Sequence, residues 1–300
     1  MIIIRKVIQK TGVIILPIIL SGLGIFLFVQ KNDNLLIDMI DVGQGDGIFL
    51  MLDNDISIMF DGGSSSKKNI GEYILKPVFN ARGKNKINYW FISHSDNDHI
   101  SGLVEILNQY SKLKIKVENI VIPRFRFDDE KYEDIIRLCN INNIKIYEMQ
   151  RGDSIRIKDK IMFDCFYPFG HNLKNPNDES CVIMLNYEEF QMLFTGDIGM
   201  EEDKELIEYY NKKYANEDLE ILKVAHHGSK FSTSEKLLDE LSPNVAVISA
   251  GDKNTYGHPN TELIRRLDER RIFHYCTKDL GHIEIRTDGK KMKIDCGSIK

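Results

Sequence analysis

Apolar residues recur along this chain with two periods, and the switches between them predict strands interleaved with amphipathic helices. Short apolar runs at Leu35–Asp41, Gly47–Leu52 and Ile56–Phe60 are separated by turns carrying Gly and Asp, which reads as the start of a sheet. The pattern then predicts a helix over Asn69–Asn80, a strand over Ile87–Ser93 and an amphipathic helix over Gly102–Tyr110. Alternation continues with a strand at Val117–Ile122, a helix at Glu130–Cys139 and a strand at Lys145–Glu148. Ile155–Tyr167, Cys181–Asn186 and Gln191–Thr195 return to strand-rich sequence before a charged helix over Met200–Lys213. Strands near Glu220–Ala225, Val245–Ser249, Ile272–Cys276, Ile283–Thr287 and Met292–Asp295 follow, with helices near Ser234–Leu241 and Thr261–Arg270. Two strand-then-helix halves without a linker predict an α/β domain of two sheets packed face to face, with helices outside.

The N-terminus breaks this pattern. Arg5, Lys6 and Lys10 precede an uncharged run, Thr11–Gln30, whose apolar stretch is about the length of a bilayer-crossing helix. Basic residues ahead of such a run predict a cytoplasmic N-terminus with the bulk of the chain outside. Phe28-Val-Gln-Lys31 offers no small-residue cleavage site, so the segment reads as an anchor and not as a signal peptide. Residues 1–32 are therefore expected to tether the chain as a single-pass membrane protein, with residues 33–300 forming an extracytoplasmic domain. At 42% hydrophobic and 28% charged residues, 300 residues are enough for a substantial core, which excludes disorder as the main state. The formal net charge of -5 argues against nucleic-acid binding by an overall basic surface, and leaves a local basic groove open. Cys139, Cys165, Cys181, Cys276 and Cys296 are widely spread without a CxxC pair, so packing is their expected role.

The chemistry concentrates at the ends of predicted strands. His94-Ser-Asp96-Asn-Asp98-His99 places four ligand-type side chains within six residues, between a strand and a helix. A single Asp or His there would read as a cap or a turn residue, but four together read as ligands for one or two metal ions. Gly196-Asp197 follows one later strand and His226-His227-Gly228-Ser229 another. The glycine-rich run Asp41-Val-Gly-Gln-Gly-Asp46 lacks the spacing of a nucleotide-binding loop, so no nucleotide cofactor is expected.

Together with Asp61-Gly62-Gly63, these motifs resemble those of the metallo-β-lactamase superfamily. Asp41 to Asp46, Asp96 in place of the usual middle histidine, and Tyr256-Gly-His258-Pro259 sharpen this to the hydrolase domain of the ComEC competence channel family, over about residues 35 to 296. The channel of that family has many spans and this sequence one candidate, so the resemblance implies hydrolase chemistry and not transport. It implies a four-layer αββα sandwich holding two divalent ions, Zn or Mn. His94, Asp96 and Asp197 would hold one ion, and Asp98, His99, Asp197 and His226 the other, with Asp197 bridging. A carboxylate at Asp96 in place of an imidazole shifts preference toward harder ions such as Mn. Where the superfamily carries a further histidine, this chain has Asp178-Glu-Ser-Cys181.

In this reading a metal-bound hydroxide attacks the substrate, Asp98 orients the water and His258 protonates a leaving oxygen or touches phosphate. Asp61 would support a histidine from behind, and His227, Ser229 and Lys230 would contact an anionic substrate. Lys223, Lys253 and Tyr256 are further candidates for a nucleic-acid surface. The expected function is an extracytoplasmic phosphodiesterase or nuclease acting on DNA or another phosphodiester. The alternatives are hydrolysis of a cell-wall or small-molecule ester, and a non-catalytic metal-binding module.

Overall fold

Period-two alternation sorts the strand side chains onto two faces, and this sorting builds the layers. In the computed structural model, which describes residues 35–126, 129–170, 176–215, 217, 219–252 and 254–297, strands β1 (Leu35–Met39), β2 (Gly47–Leu52) and β3 (Ile56–Asp61) form an antiparallel start. They continue in parallel through β5 (Tyr89–Phe91), β7 (Asn119–Pro123) and β8 (Lys145–Met149), while β4 (Lys86–Ile87) and β6 (Lys116–Val117) form a short separate pair. The second sheet repeats this plan. Strands β9 (Ser154–Ile157), β10 (Ile161–Tyr167), β11 (Val182–Tyr187) and β12 (Phe190–Phe194) are antiparallel, and β13 (Ile221–Lys223), β14 (Val245–Ile248) and β15 (Phe273–Cys276) extend β12 in parallel. A C-terminal hairpin, β16 (Ile283–Thr287) and β17 (Met292–Cys296), returns to the first sheet beside β1.

Leu35, Ile37, Ile48, Leu50 and Ile58 face Ile183, Leu185, Met192, Ile221 and Val247 between the two sheets. The alternate residues turn outward. Leu36, Phe49 and Met59 pack under helices α1 (Lys76–Ala81), α2 (Asn97–Asn108) and α4 (Asp129–Asn142), with the short α3 (Tyr110–Leu113) between the last two. Leu193, Leu222, Ala246 and Ile248 pack under α5 (Asp203–Tyr214), α6 (Glu235–Leu241) and α7 (Thr261–Glu269). The result is the expected helix, sheet, sheet, helix order.

A stack of three aromatic rings ties the sheets together beneath the strand ends. Phe60 of β3 lies 4.6 Å from Phe91 of β5 and 4.1 Å from Phe194 of β12, with near-parallel planes. Each of these residues precedes a loop that carries site residues.

Three expectations change. The strand-rich stretch Ile155–Tyr167 is a hairpin, because Lys158 and Asp159 adopt left-handed backbone with φ of 53° and 55°. Helix α2 starts at Asn97 and not near Gly102, because Asp96 takes extended backbone at its N-cap, so Asp98 and His99 stand on the first helical turn. The cysteines are all free, four of them buried as expected, but Cys296 is exposed. The expected anchor, residues 1–32, lies outside the described residues, and no helix among the described residues is long and apolar enough to cross a membrane.

Candidate metal centre

Four loops converge where the parallel strands end, and close backbone contact between them requires glycine. The amide of Asp46 donates to the Asp98 carbonyl at 3.0 Å, and that of Gly63 to the Asp46 carbonyl at 3.0 Å. A Cβ at Gly45 would sit 2.4 Å from the Asp98 and Gly63 carbonyl oxygens, and one at Gly63 2.5 Å from Asn97 O. The early glycine-rich run therefore locks the Asp61-Gly-Gly turn onto the start of α2.

Three buried imidazoles meet there. His99 donates from Nδ1 to Asp61 Oδ2 at 2.9 Å, and His227 donates from Nδ1 to the Ser249 carbonyl at 3.0 Å. His94 Nδ1 lies 3.0 Å from Ser93 Oγ and 3.4 Å from Ser180 Oγ. Their Nε2 atoms point inward, and none has a hydrogen-bond partner; Asp197 Oδ1 is likewise unpartnered. Asp197 Oδ2 lies 3.3 Å from both His99 Nε2 and His227 Nε2. Asp98 Oδ2 lies 3.5 Å from His227 Nε2. Asp46, His99, Asp197 and His227 each offer a donor atom within 4.8 Å of the others. Buried nitrogens left unpaired, with their opposite ring nitrogens tied to acceptors, fit a divalent cation.

The electrostatics agree. Burial alone would lower the His99 and His227 imidazoles, yet Asp197 with Asp61 and Asp46 outweighs it and holds both well above the ordinary histidine range. Burial would raise Asp197, but His227 and His99 hold it well below the usual carboxylate range. The pocket thus attracts positive charge. His94 responds oppositely, pushed down to about 3 by burial and the neighbouring His99 charge.

The expected site residues fall into an inner and an outer group. Asp61 is buried behind His99 and also accepts from Ser93 N and Ser93 Oγ, both at 2.8 Å. Asp96 is half-exposed, its Oδ2 3.7 Å from His94 Nε2 and its Oδ1 3.2 Å from Lys131 Nζ. Of the adjacent histidines, the structure brings His227 into the buried cluster and leaves His226 on its rim. His226 Nε2 is 4.0 Å from Asp197 Oδ2, and its side chain is 35% exposed. Both residues have left-handed backbone, φ 50° and 53°, which throws the two rings to different sides. His258 sits nearby, its ring 5.8 Å from that of His226. Burial first, then His226 and His227, push it down to about 4, so it is uncharged at neutral pH and has no imidazolium proton to give.

Ser229 is buried with its Oγ accepting from Phe231 N at 3.2 Å. Lys230 is exposed, its Nζ 4.8 Å from the Phe231 ring. Tyr256 is exposed, whereas Lys223 is fully buried and so is no surface contact; Lys253 lies outside the described residues. In the Asp178–Cys181 segment, Glu179 Oε1 accepts from Ser95 N at 2.8 Å and Ser180 Oγ accepts from Asp197 N at 3.1 Å. This segment braces the His94 loop from behind. A cleft of about 430 Å³ opens beside the cluster, lined by Asp178, Asp197, Glu201, Glu202, His226 and Phe231.

The sequence reading missed the buried pair of Asp46 and Lys223, in which Lys223 Nζ contacts Asp46 Oδ2 and donates to the Gly196 carbonyl at 3.2 Å. One signal was present. In Ile221-Leu-Lys223 the alternation puts Lys223 on the same inward face as the core residue Ile221.

Two mixed sheets between helix layers, with a buried His and Asp cluster at the strand ends, define a metal-dependent hydrolase domain. The chain belongs to the metallo-β-lactamase superfamily, whose family profile matches residues 42–252. Among curated proteins it is similar to ComE operon protein 3 of Bacillus subtilis (strain 168), 30% identical over 263 residues, covering 83% of this chain and 33% of that protein. It is also similar to Recombination protein 2 of Haemophilus influenzae, 29% identical over 252 residues, covering 83% of this chain and 29% of that protein. The chain thus spans about a third of the length of these relatives. Among solved structures, the metallo-β-lactamase fold protein YhfI of Bacillus subtilis matches with a TM-score of 0.55 at 13% identity, over 84% of this chain and 99% of that one.

Proposed function

We propose that this chain is a dinuclear phosphodiesterase or nuclease whose catalytic domain faces the outside of a membrane. The observation that carries the reading is the set of three buried Nε2 atoms with no hydrogen-bond partner, those of His99 and His227 facing Asp197 and that of His94 facing Asp96. His99, Asp197 and His227, with Asp98 beside them, would hold an inner ion; His94, Asp96 and Asp197 would hold an outer one. Bound divalent ions, Mn or Zn, supply Lewis acidity and an acidified water.

The chain's own residues do the rest. Asp61 and the Ser249 carbonyl fix two imidazoles in the tautomer that leaves Nε2 free. Burial would raise Asp98, but the facing His227 imidazole, 3.5 Å away, and the His99 charge keep it below the usual carboxylate range, so at neutral pH it accepts a proton and does not donate one. Neutral His258 and half-exposed His226 hydrogen-bond the substrate at the mouth of the cleft, with Lys230 on the rim.

A phosphodiester is the substrate class that two adjacent ions serve directly, since they neutralise charge on both attacking and leaving oxygens. The motif resemblance to the ComEC competence family and the similarity to a recombination protein support DNA as that phosphodiester, and the uncharged run at Thr11–Gln30 supports a membrane tether. A second reading, an ester of lower charge from the cell wall or a small molecule, is favoured by the acidic lining of Asp178, Glu201 and Glu202.

The test is the full chain, stripped of metal and returned Mn or Zn, with single-stranded DNA, double-stranded DNA and bis(p-nitrophenyl) phosphate beside Asp98→Ala. Metal-dependent cleavage of DNA that is lost in the variant supports the nuclease reading. Cleavage of the small diester alone removes the nuclease reading and keeps the phosphodiesterase, cleavage of none of the three favours the second reading, and equal activity in the variant removes the mechanism.

A further inference from the structure

Lys223 is the last residue of β13 and points between the sheets, fully buried. Its ammonium contacts Asp46 Oδ2 and donates to the Gly196 carbonyl, one residue before Asp197. The cavity holds four carboxylates: Asp46, Asp61, Asp98 and Asp197. Among the described residues, Lys223 is the only lysine or arginine ion-paired with any of them, and the nearby Lys131 pairs with Asp96 instead.

Proximity alone would make Asp46 a fourth ligand beside His99, Asp197 and His227. Its orientation argues otherwise. Asp46 Oδ1 lies 3.4 Å from His227 Nδ1 and Oδ2 lies 3.9 Å from His99 Nδ1. Asp197 instead meets both rings at Nε2, at 3.3 Å. Asp46 therefore stands behind the imidazoles and Asp197 in front of them. Its backbone is fixed by hydrogen bonds to Asp98 and Gly63, so only its side chain is free to change sides.

We infer that Lys223 is a built-in counter-cation that holds Asp46 behind His227 and out of the metal's coordination sphere. It is a positioning residue acting through Asp46. By also gripping the Gly196 carbonyl, it links the two loops that carry Asp197 and His227. This inference rests on the cluster being a metal centre, and it adds that the charge of the ligand set is capped by the protein itself.

The test is a double-variant cycle on the full chain: wild type, Lys223→Met, Asp46→Asn, and Lys223→Met with Asp46→Asn. Melting temperature is measured without metal, and Mn and Zn affinity by titration calorimetry. Lys223→Met should melt lower without metal, because Asp46 is left buried and uncompensated, yet should bind metal at least about tenfold tighter as Asp46 becomes free to coordinate. The double variant should regain most of the lost melting temperature and bind metal no tighter than wild type. Loss of packing alone would not tighten metal binding. If Lys223→Met does not fold, recovery of the fold in the double variant supports the inference and failure to recover overturns it. Lys223→Met binding no tighter than wild type, or a double variant matching it, overturns this inference alone. A wild type that binds neither ion also sinks the metal-centre reading beneath it.

Discussion

The inner and outer halves of the cluster differ in what stands behind their ring nitrogens. On the inner side, Asp61 backs His99, and the Ser249 carbonyl with Asp46 backs His227. On the outer side, His94 has only the hydroxyls of Ser93 and Ser180 behind it, and Asp96 leans toward Lys131 at the surface. A carboxylate or carbonyl behind an imidazole fixes its tautomer and raises its basicity; a hydroxyl does so less. The inner half is accordingly rigid and cation-seeking, and the outer half is softer. If the centre holds two ions as proposed, they should therefore bind with unequal affinity.

The largest test of that contrast removes the residue shared by both halves. Asp197→Ala should abolish binding of both ions and lower metal-dependent hydrolysis by more than the roughly 100-fold that marks the upper end for supporting residues. Next comes the backing itself. Asp61→Asn should weaken the tighter ion about 10- to 100-fold in a calorimetric titration, and Ser180→Ala, whose hydroxyl faces His94 and also holds the Asp197 amide, should weaken the looser ion more than the tighter one, each by less than about tenfold. Equal losses from the two substitutions would erase the distinction between the halves.

The same contrast sets the pH dependence of the metal-free protein, because its histidines shift in opposite directions. His94, pushed down to about 3, and His258, pushed down to about 4, stay neutral when folded. Between the unfolded value near 6.5 and those folded values the unfolded chain binds more protons, so stability falls as the pH drops. His99 and His227 are raised, so their contribution is fully present below about 6.5 and is lost as the pH rises through their folded values. Melting temperature without metal should thus peak near pH 6.5, with His94→Gln softening the acid limb and added Mn or Zn abolishing the alkaline one. The smallest effect belongs at the surface. Lys131→Ala breaks a half-exposed pair worth up to about 1 kcal/mol, and should change affinity for the looser ion by less than about fivefold.

Much of the fold was legible because strand alternation is a local property that packing reinforces. Leu35, Ile37 and Met39 share one face in the sequence and in the core. The limits of α2 were not legible, because polar Asn97 and Asp98 carry no apolar period and the helix begins from the Asp96 backbone. The site was legible as motifs but not as orientations. Nothing local decides which of His226 and His227 turns inward when both take left-handed backbone and the deciding partners, Ser249 and Asp46, arrive from distant strands. Lys223 was misplaced on the surface because lysine is rarely buried, and its partner Asp46 is remote in sequence.

In the proposed centre His227, and not His226, would complete the inner site. The direct measurement is Mn-dependent hydrolysis of bis(p-nitrophenyl) phosphate by the full chain, with Mn binding followed in parallel, for wild type, His227→Ala and His226→Ala. His227→Ala should lose the tighter ion and the activity together, while His226→Ala should keep both ions and lose only part of the rate. Activity that survives in His227→Ala, or a tighter ion lost in His226→Ala instead, would contradict the assignment of His227 to the inner site.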